Sequence, residues 1–358
     1  MQDSLFADDD DGAVPRKTTT RGRGVEPAAP SPALHALRDA LPASLRLGTS
    51  SWNYPGWTGS VWAHDYSPQK LSKQGLRAYA QHPLLRTVSL DRAFYQPLDA
   101  GQYAAYAAQV PDDFRFVVKA PGLIADALRR DESGRGVEAN PNFLDADLAV
   151  RAFAAPALEG LRHKLGALVF QLSPVPESLL RERAALLRRL GAMLHALPPL
   201  RDVAPDAAVA VEVRNREWLG QDFAATLRAA GATYCLGLHA KMPPIEDQLP
   251  TLRALWPGPL VCRWNLHRRH GAYGYEAAKR LYGDFDALVD PDLETRTTLA
   301  RVIAGTAGAG HAAYVTLGNK AEGSAPLSVV ALAEAVADLS SVPASGSAGR
   351  SSGPAREC

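Results

Sequence analysis

Eight short runs rich in apolar and β-branched residues alternate with longer segments whose apolar residues recur at helical spacing, and this alternation constrains the fold more than any other feature of the chain. The runs are residues 45–51, 87–90, 115–119, 167–172, 208–214, 233–238, 260–264 and 312–317. Between residues 179 and 194, Leu179, Leu180, Leu186, Leu187, Leu190, Met193 and Leu194 repeat at helical spacing with Arg and Glu between them. Residues 223–230, 275–282, 293–303 and 327–339 read the same way. A helix after most strands implies right-handed parallel crossovers. Eight such units close into an α/β fold, a (β/α)8 TIM-type barrel, rather than an open sheet. Residues 122–144, rich in Gly, Asp, Asn and Arg, interrupt the pattern and read as an insertion after the third strand that overhangs the barrel mouth.

The 358 residues suit one barrel domain, 34–339, with a tail at each end. Residues 1–33 begin acidic, turn basic and finish in Pro and Ala, while residues 340–358 are Ser, Gly, Ala and Pro; both compositions predict disorder. Thirty-nine Lys and Arg against 38 Asp and Glu leave a formal charge of +1, so no global field draws the chain to nucleic acid or anionic lipid. Any nucleic-acid contact must be local. Cys235, Cys262 and Cys358 lack the spacing of a disulfide framework or a zinc site, which points to a reducing compartment. With no signal-peptide pattern and no apolar run of about 18 residues, the expected location is the cytoplasm.

The fifth run carries the most informative side chains. Alternate residues of an extended strand point the same way, so Glu212 and Arg214 share one face while Val211 and Val213 share the other. Charges facing inward near the C-terminal end of a barrel strand are costly to bury, so they pair, bind a ligand or catalyse. An internal Glu–Arg ion pair closing the barrel explains them as well as a catalytic role does.

Several ordered blocks go beyond pattern. The segments 48–57 (Gly-Thr-Ser-Ser-Trp-Asn-Tyr-Pro-Gly-Trp), Thr87-Val88, Ala93-Phe94-Tyr95, 114–120, 165–172, the Glu212 strand and Gly318-Asn319 with Gly323 resemble the YecE-like family, domain of unknown function 72. The resemblance runs from about residue 45 to 336. It implies a TIM-type barrel, brings no established reaction, and places at the mouth Trp52, Tyr54 and Trp57, Lys119, Gln171, Glu212, Arg214, Arg263 and Asn319. Three departures stand out. Where the family usually has a Glu on its second strand this chain has Ser89, with Asp91 of the same parity two residues on; the usual Arg-x-His of the seventh strand is Arg263-Trp264-Asn265; and an Asp expected after the sixth strand is absent near Gly237 and His239.

Three readings of the mouth follow. Glycoside hydrolysis needs two carboxyl groups about 5–10 Å apart, for which Glu212 and Asp91 are the candidates. Alternatively, Lys119, Arg214 and Arg263 form a cationic mouth that holds a sugar or phosphate ester, with Asn265 and Asn319 beside it and Glu212 as general acid or base. On this reading the reaction class stays open between hydrolase and isomerase. Thirdly, the Ser89 and Asn265 departures mark a barrel that has lost activity. Trp52, Tyr54 and Trp57 either stack on a ligand or cap the barrel by packing. The basic segment 267–271 reads as a solvated loop or phosphate contact rather than a metal site, and the Gly residues of 305–310 follow a helix, so no dinucleotide cofactor is expected.

One motif lies outside the barrel. Gln2-Asp3-Ser4-Leu5-Phe6 resembles the short peptide by which bacterial replication and repair proteins dock on the sliding clamp, with Leu5 and Phe6 suited to an apolar pocket and Gln2 to hydrogen bonds. It implies an accessory role in DNA metabolism as an alternative function.

Overall fold

The computed structural model describes residues 24–131 and 134–341. The eight expected strands form within two residues of their expected ends: β1 (Leu45–Thr49), β2 (Leu85–Leu90), β3 (Arg115–Lys119), then, after a short hairpin of β4 (Leu128–Arg130) and β5 (Gly136–Ala139), β6 (Leu165–Gln171), β7 (Ala208–Glu212), β8 (Thr233–Leu238), β9 (Leu260–Trp264) and β10 (Ala313–Leu317). All but the hairpin join one closed sheet in the order β1-β10-β9-β8-β7-β6-β3-β2. Every pairing within it is parallel, so the fold is an α/β barrel whose main sheet closes on itself without a free edge.

Residue size sorts the two faces of the barrel. Facing inward are mostly small side chains, Val117, Ala167, Val169, Ala208, Ala210, Cys235 and Val261, with Tyr314 as the one large member of this cluster. Bulky residues such as Phe116, Leu168, Phe170, Val211, Leu236 and Trp264 point outward and pack under the helices. Small interior residues let the barrel fill without voids, and the hydrophobic contact lies mainly between sheet and helices. Expected helices appear at Gln221–Ala229, Tyr275–Tyr282, Leu293–Gly308 and Ala325–Ser341. The segment expected as one helix from residue 179 is two, Glu177–Leu180 and Arg183–His195, and the longer one buries Leu186, Leu187, Leu190, Met193 and Leu194.

Two boundaries change. The described chain begins at residue 24, inside the stretch expected to be a tail, and it is held by backbone bonds: Ala28 N–H donates to the Val61 carbonyl at 2.9 Å and Ala63 N–H to that of Glu26 at 3.0 Å. A composition argument weighs only apolar side chains, whereas these residues are ordered by main-chain partners in the loop after β1. Ser31 then caps the helix Pro32–Ala40. The insertion folds as the β4/β5 hairpin, braced by the Arg129–Glu138 pair at 2.8 Å and by Asn140 Nδ2 donating to the Leu123 and Asp126 carbonyls. No helix of the described residues is long and apolar enough to cross a membrane.

Candidate functional site

The C-terminal ends of β2, β3, β6, β7 and β9 bring six polar side chains into one cluster. Because parity alternates along each strand, the inward series Val117–Lys119, Ala167–Val169–Gln171, Ala208–Ala210–Glu212 and Val261–Arg263 each end in a polar residue above an apolar floor. Arg214 lies just past β7 and Asp91 begins the 3-10 turn Asp91–Phe94 after β2.

Arg263 is the hub. Its Nη1 donates to Glu212 Oε2 at 2.7 Å and to Gln171 Oε1 at 2.9 Å, and its Nη2 to Asp91 Oδ2 at 2.6 Å. Arg214 Nη2 lies 2.6 Å from Glu212 Oε1 and donates to Gln171 Oε1 at 3.2 Å. Ser89 Oγ donates to the other Asp91 oxygen at 2.6 Å, so Asp91 with Ser89 supplies the carboxylate that position 89 itself lacks. Gly237 makes room for this arrangement, since a Cβ there would stand 3.3 Å from Glu212 Cγ.

Depth separates the two carboxylates. Glu212 is fully buried, with one oxygen against each guanidinium, whereas the Asp91 side chain is 32% exposed and lines the cavity above. Glu212, expected as the general acid or base, therefore does not reach the cavity; it fixes the two arginines. Burial by itself would raise the Asp91 pKa, but Arg263, Lys119, Ser89 and Arg214 overcome it and hold the carboxyl below its usual range.

Lys119 differs from its neighbours. Its Nζ sits 3.7 Å from the centre of the Phe94 ring, and it makes no ion pair or hydrogen bond with the described residues. Burial drives its pKa down to about 8, with Asp91 and Glu212 opposing the shift and Arg263 and Arg214 adding to it. The Lys119 backbone is fixed by the ladder to Val169, continued by Ala120 N–H donating to the Val169 carbonyl at 2.8 Å.

Above this cluster opens a cavity of about 1350 Å³. Its floor is Asp91, Lys119, Gln171, Arg214 and Arg263, and its walls come from the loop after β1, the Tyr275–Tyr282 helix with the segment following it, and Gly318 to Lys320 after β10. Gly56 lets the first two walls meet, because a Cβ there would lie 1.8 Å from the Asp284 carbonyl oxygen. Several donors of the lining residues lack a protein acceptor: Arg214 Nη1, Gln171 Nε2, Arg263 Nε and Asn319 Nδ2.

Of the remaining expected residues, Tyr54 and Asn265 line the cavity. Trp52 and Trp57 do not; both are buried, Trp57 stacks near Trp62 at 6.4 Å and donates to Asn319 Oδ1 at 3.1 Å, so they brace the wall by packing instead of offering a stacking face. Asn319 also accepts from Ala325 N–H at 2.8 Å, which ties the loop to the final helix. The hairpin of the insertion lines none of the cavity. The basic segment at 267–270 keeps Arg268 and Arg269 exposed to solvent, while Arg269 pairs with Asp290 and His270 Nε2 lies 2.7 Å from the Tyr282 hydroxyl. Among the described residues no group of three or more His, Cys, Asp or Glu is placed to hold a metal ion. Gln2, Leu5 and Phe6 lie outside the described residues.

Among the lining residues not expected from the sequence are Tyr275, Lys279 and Lys320, the last with its Nζ 5.0 Å from the Tyr275 ring centre. Lys320 directly follows the Gly318-Asn319 block at the end of the eighth barrel strand, and that position is a usable signal.

The fold has known counterparts. A DUF72 family protein from Enterococcus faecalis V583 superposes with a TM-score of 0.50 at 18% identity, over 82% of this chain and 95% of that one. One from Thermotoga maritima MSB8 gives 0.50 and 18% over 81% and 98%. At such identity the likeness speaks for the fold alone. No curated protein sequence matches the chain. The model of the family described as "Protein of unknown function DUF72" matches residues 46–349, most of the sequence, and the chain therefore belongs to that family.

Proposed function

We propose that the barrel mouth binds a small, oxygen-rich anion such as a sugar or phosphate ester. The observation that carries this reading is the balance of the floor: Arg214, Arg263 and Lys119 stand against only two carboxylates, Glu212 and Asp91, and donors of Arg214, Arg263 and Gln171 have no protein acceptor. Buried donors without acceptors cost free energy that a ligand oxygen recovers, and a guanidinium–anion contact is the strong, charge-assisted kind. Glu212 serves this site by holding both arginines at fixed positions. Asp91, the member of the carboxylate pair that lines the cavity, is the group placed to exchange a proton with a ligand. Two carboxylates clamped to the same guanidinium, one of them sealed from the cavity, do not form the separated acid and base that glycoside hydrolysis requires.

Calorimetric titration of the full chain with inorganic phosphate, glucose 6-phosphate and glucose tests the reading. Both phosphates bind and glucose does not, and Lys119→Gln weakens phosphate roughly tenfold, the equivalent of ~1.4 kcal/mol. Equal binding of glucose and its phosphate, or binding of none of the three, contradicts it.

A further inference from the structure

Lys119 is the one charged member of the floor cluster that makes no ion pair or hydrogen bond among the described residues. An amine kept only to hold an anion is best placed beside other donors on a hydrated rim. This one is instead 6% exposed, its Nζ lies over the face of Phe94, and it still borders the cavity. Phe94 comes from the same short turn as Asp91, so one segment supplies both the apolar face and the nearest carboxylate influence on the amine. The charged groups around it are Asp91 from that turn, Glu212 and Arg214 from β7 and its extension, and Arg263 from β9. Desolvation beside cationic neighbours is the environment that makes a lysine a nucleophile rather than a permanent cation.

We infer that Lys119 Nζ forms an imine with the carbonyl carbon of an aldehyde or ketone whose anionic group is held by Arg214 and Arg263. This deepens the anion-binding reading and rests on it. In the step the Nζ lone pair bonds to the carbonyl carbon while the C=O π pair moves to oxygen, giving a carbinolamine. The C–O bond then breaks as the C=N bond forms. From a lysine ammonium and a carbonyl the products are a protonated imine and water: of the three ammonium protons, two depart with the oxygen and one stays on nitrogen. No oxidant or reductant enters. Asp91 is the group placed to relay those protons, since it borders the same cavity. The shared chemistry is a carbonyl with an anionic tail, which a phosphorylated ketose or a 2-oxo acid would each provide.

Reductive trapping separates these cases. The full chain is incubated with dihydroxyacetone phosphate, with pyruvate, or with uncharged dihydroxyacetone, then treated with sodium borohydride, and the label is mapped by peptide mass spectrometry. The expected result is one equivalent of label on Lys119 from at least one anionic carbonyl, its suppression by excess inorganic phosphate, and a labelling rate that rises through about pH 8. The arm that labels identifies phosphate or carboxylate as the tail. In Lys119→Arg, which is cationic but not nucleophilic, the mouth label is lost. Label scattered over exposed lysines, or no label while calorimetry shows phosphate binding to the unmodified chain, overturns the imine and leaves the anion reading standing. If phosphate does not bind either, both fall. Preferential labelling of Lys119 by uncharged dihydroxyacetone keeps the nucleophile and overturns the anionic tail. Because the mapping is done on the natural chain, the outcome does not depend on the variant folding.

Discussion

At the N-terminal end of the barrel Arg86 pairs with Asp113 at 2.7 Å and Arg115 with Asp206 at 3.5 Å, and the two carboxylates are 49% and 60% exposed. At the C-terminal end Arg263 and Arg214 pair with Glu212 at 2.7 and 2.6 Å, and that carboxylate has no exposed surface. The same residue types thus do different work at the two ends. Water screens the lower pairs, which contribute little to stability. The upper pairs have lost their hydration and depend on one another, so removing one partner strands the rest. That dependence holds the arginine side chains rigid, whereas Lys119 beside them makes no ion pair among the described residues and rests only against the Phe94 ring.

The largest expected effect comes from breaking the upper end. Glu212→Gln leaves Arg214 and Arg263 buried with only Asp91 as counter-charge and should lower the unfolding free energy by about 3–5 kcal/mol, measured by urea denaturation. A loss under about 1 kcal/mol would mean that the cluster is hydrated and the contrast between the ends is false.

Lys119 should act in the opposite direction. Its folded pKa of about 8 lies below its ordinary 10.5, so the folded state binds fewer protons than the unfolded one between those values, and stability rises with pH across that window. Below about pH 8 the chain carries the full cost of a buried ammonium. Lys119→Met should therefore be more stable than the natural chain near pH 7, by on the order of 2–3 kcal/mol, with the gap closing as pH rises from about 8 to 10.5. A variant less stable at pH 7 would show that the amine is structural. The smallest effect belongs to the lower end, where Asp113→Asn should change stability by no more than about 1 kcal/mol and leave phosphate affinity at the mouth unchanged. A larger change in either quantity would couple the two ends.

How far each feature was legible in the sequence follows from what determines it. The barrel strands were legible because their burial on both faces is written locally as apolar runs; parity placed Glu212 inside, while Gln171 and Arg263 came to the mouth through the family resemblance. The β4/β5 hairpin was not, since its residues are largely charged and exposed and it is set by Asp126, Asn140 and the Arg129–Glu138 pair. The order of the two carboxylates in depth was not legible either. Glu212 ends a strand while Asp91 sits on the turn beyond one, and only the closed register shows that the cavity touches the second and not the first. The walls were hidden for a similar reason: the approach of Gly56 to Asp284 joins segments more than two hundred residues apart. Tryptophans at the mouth carried an ambiguous signal, and burial resolved Trp52 and Trp57 as packing.

If the two ends differ as anion sites, a crystal of the full chain soaked in tungstate should show it. The lower end has its own basic hollow, lined by Arg38, Arg86, His35 and His82 with Asp113 among them. Anomalous density for the oxyanion is expected at the mouth, within hydrogen-bonding reach of Arg214 and Lys119, with none in the lower hollow. Density in the lower hollow alone, or an empty mouth at saturating tungstate, would contradict the difference.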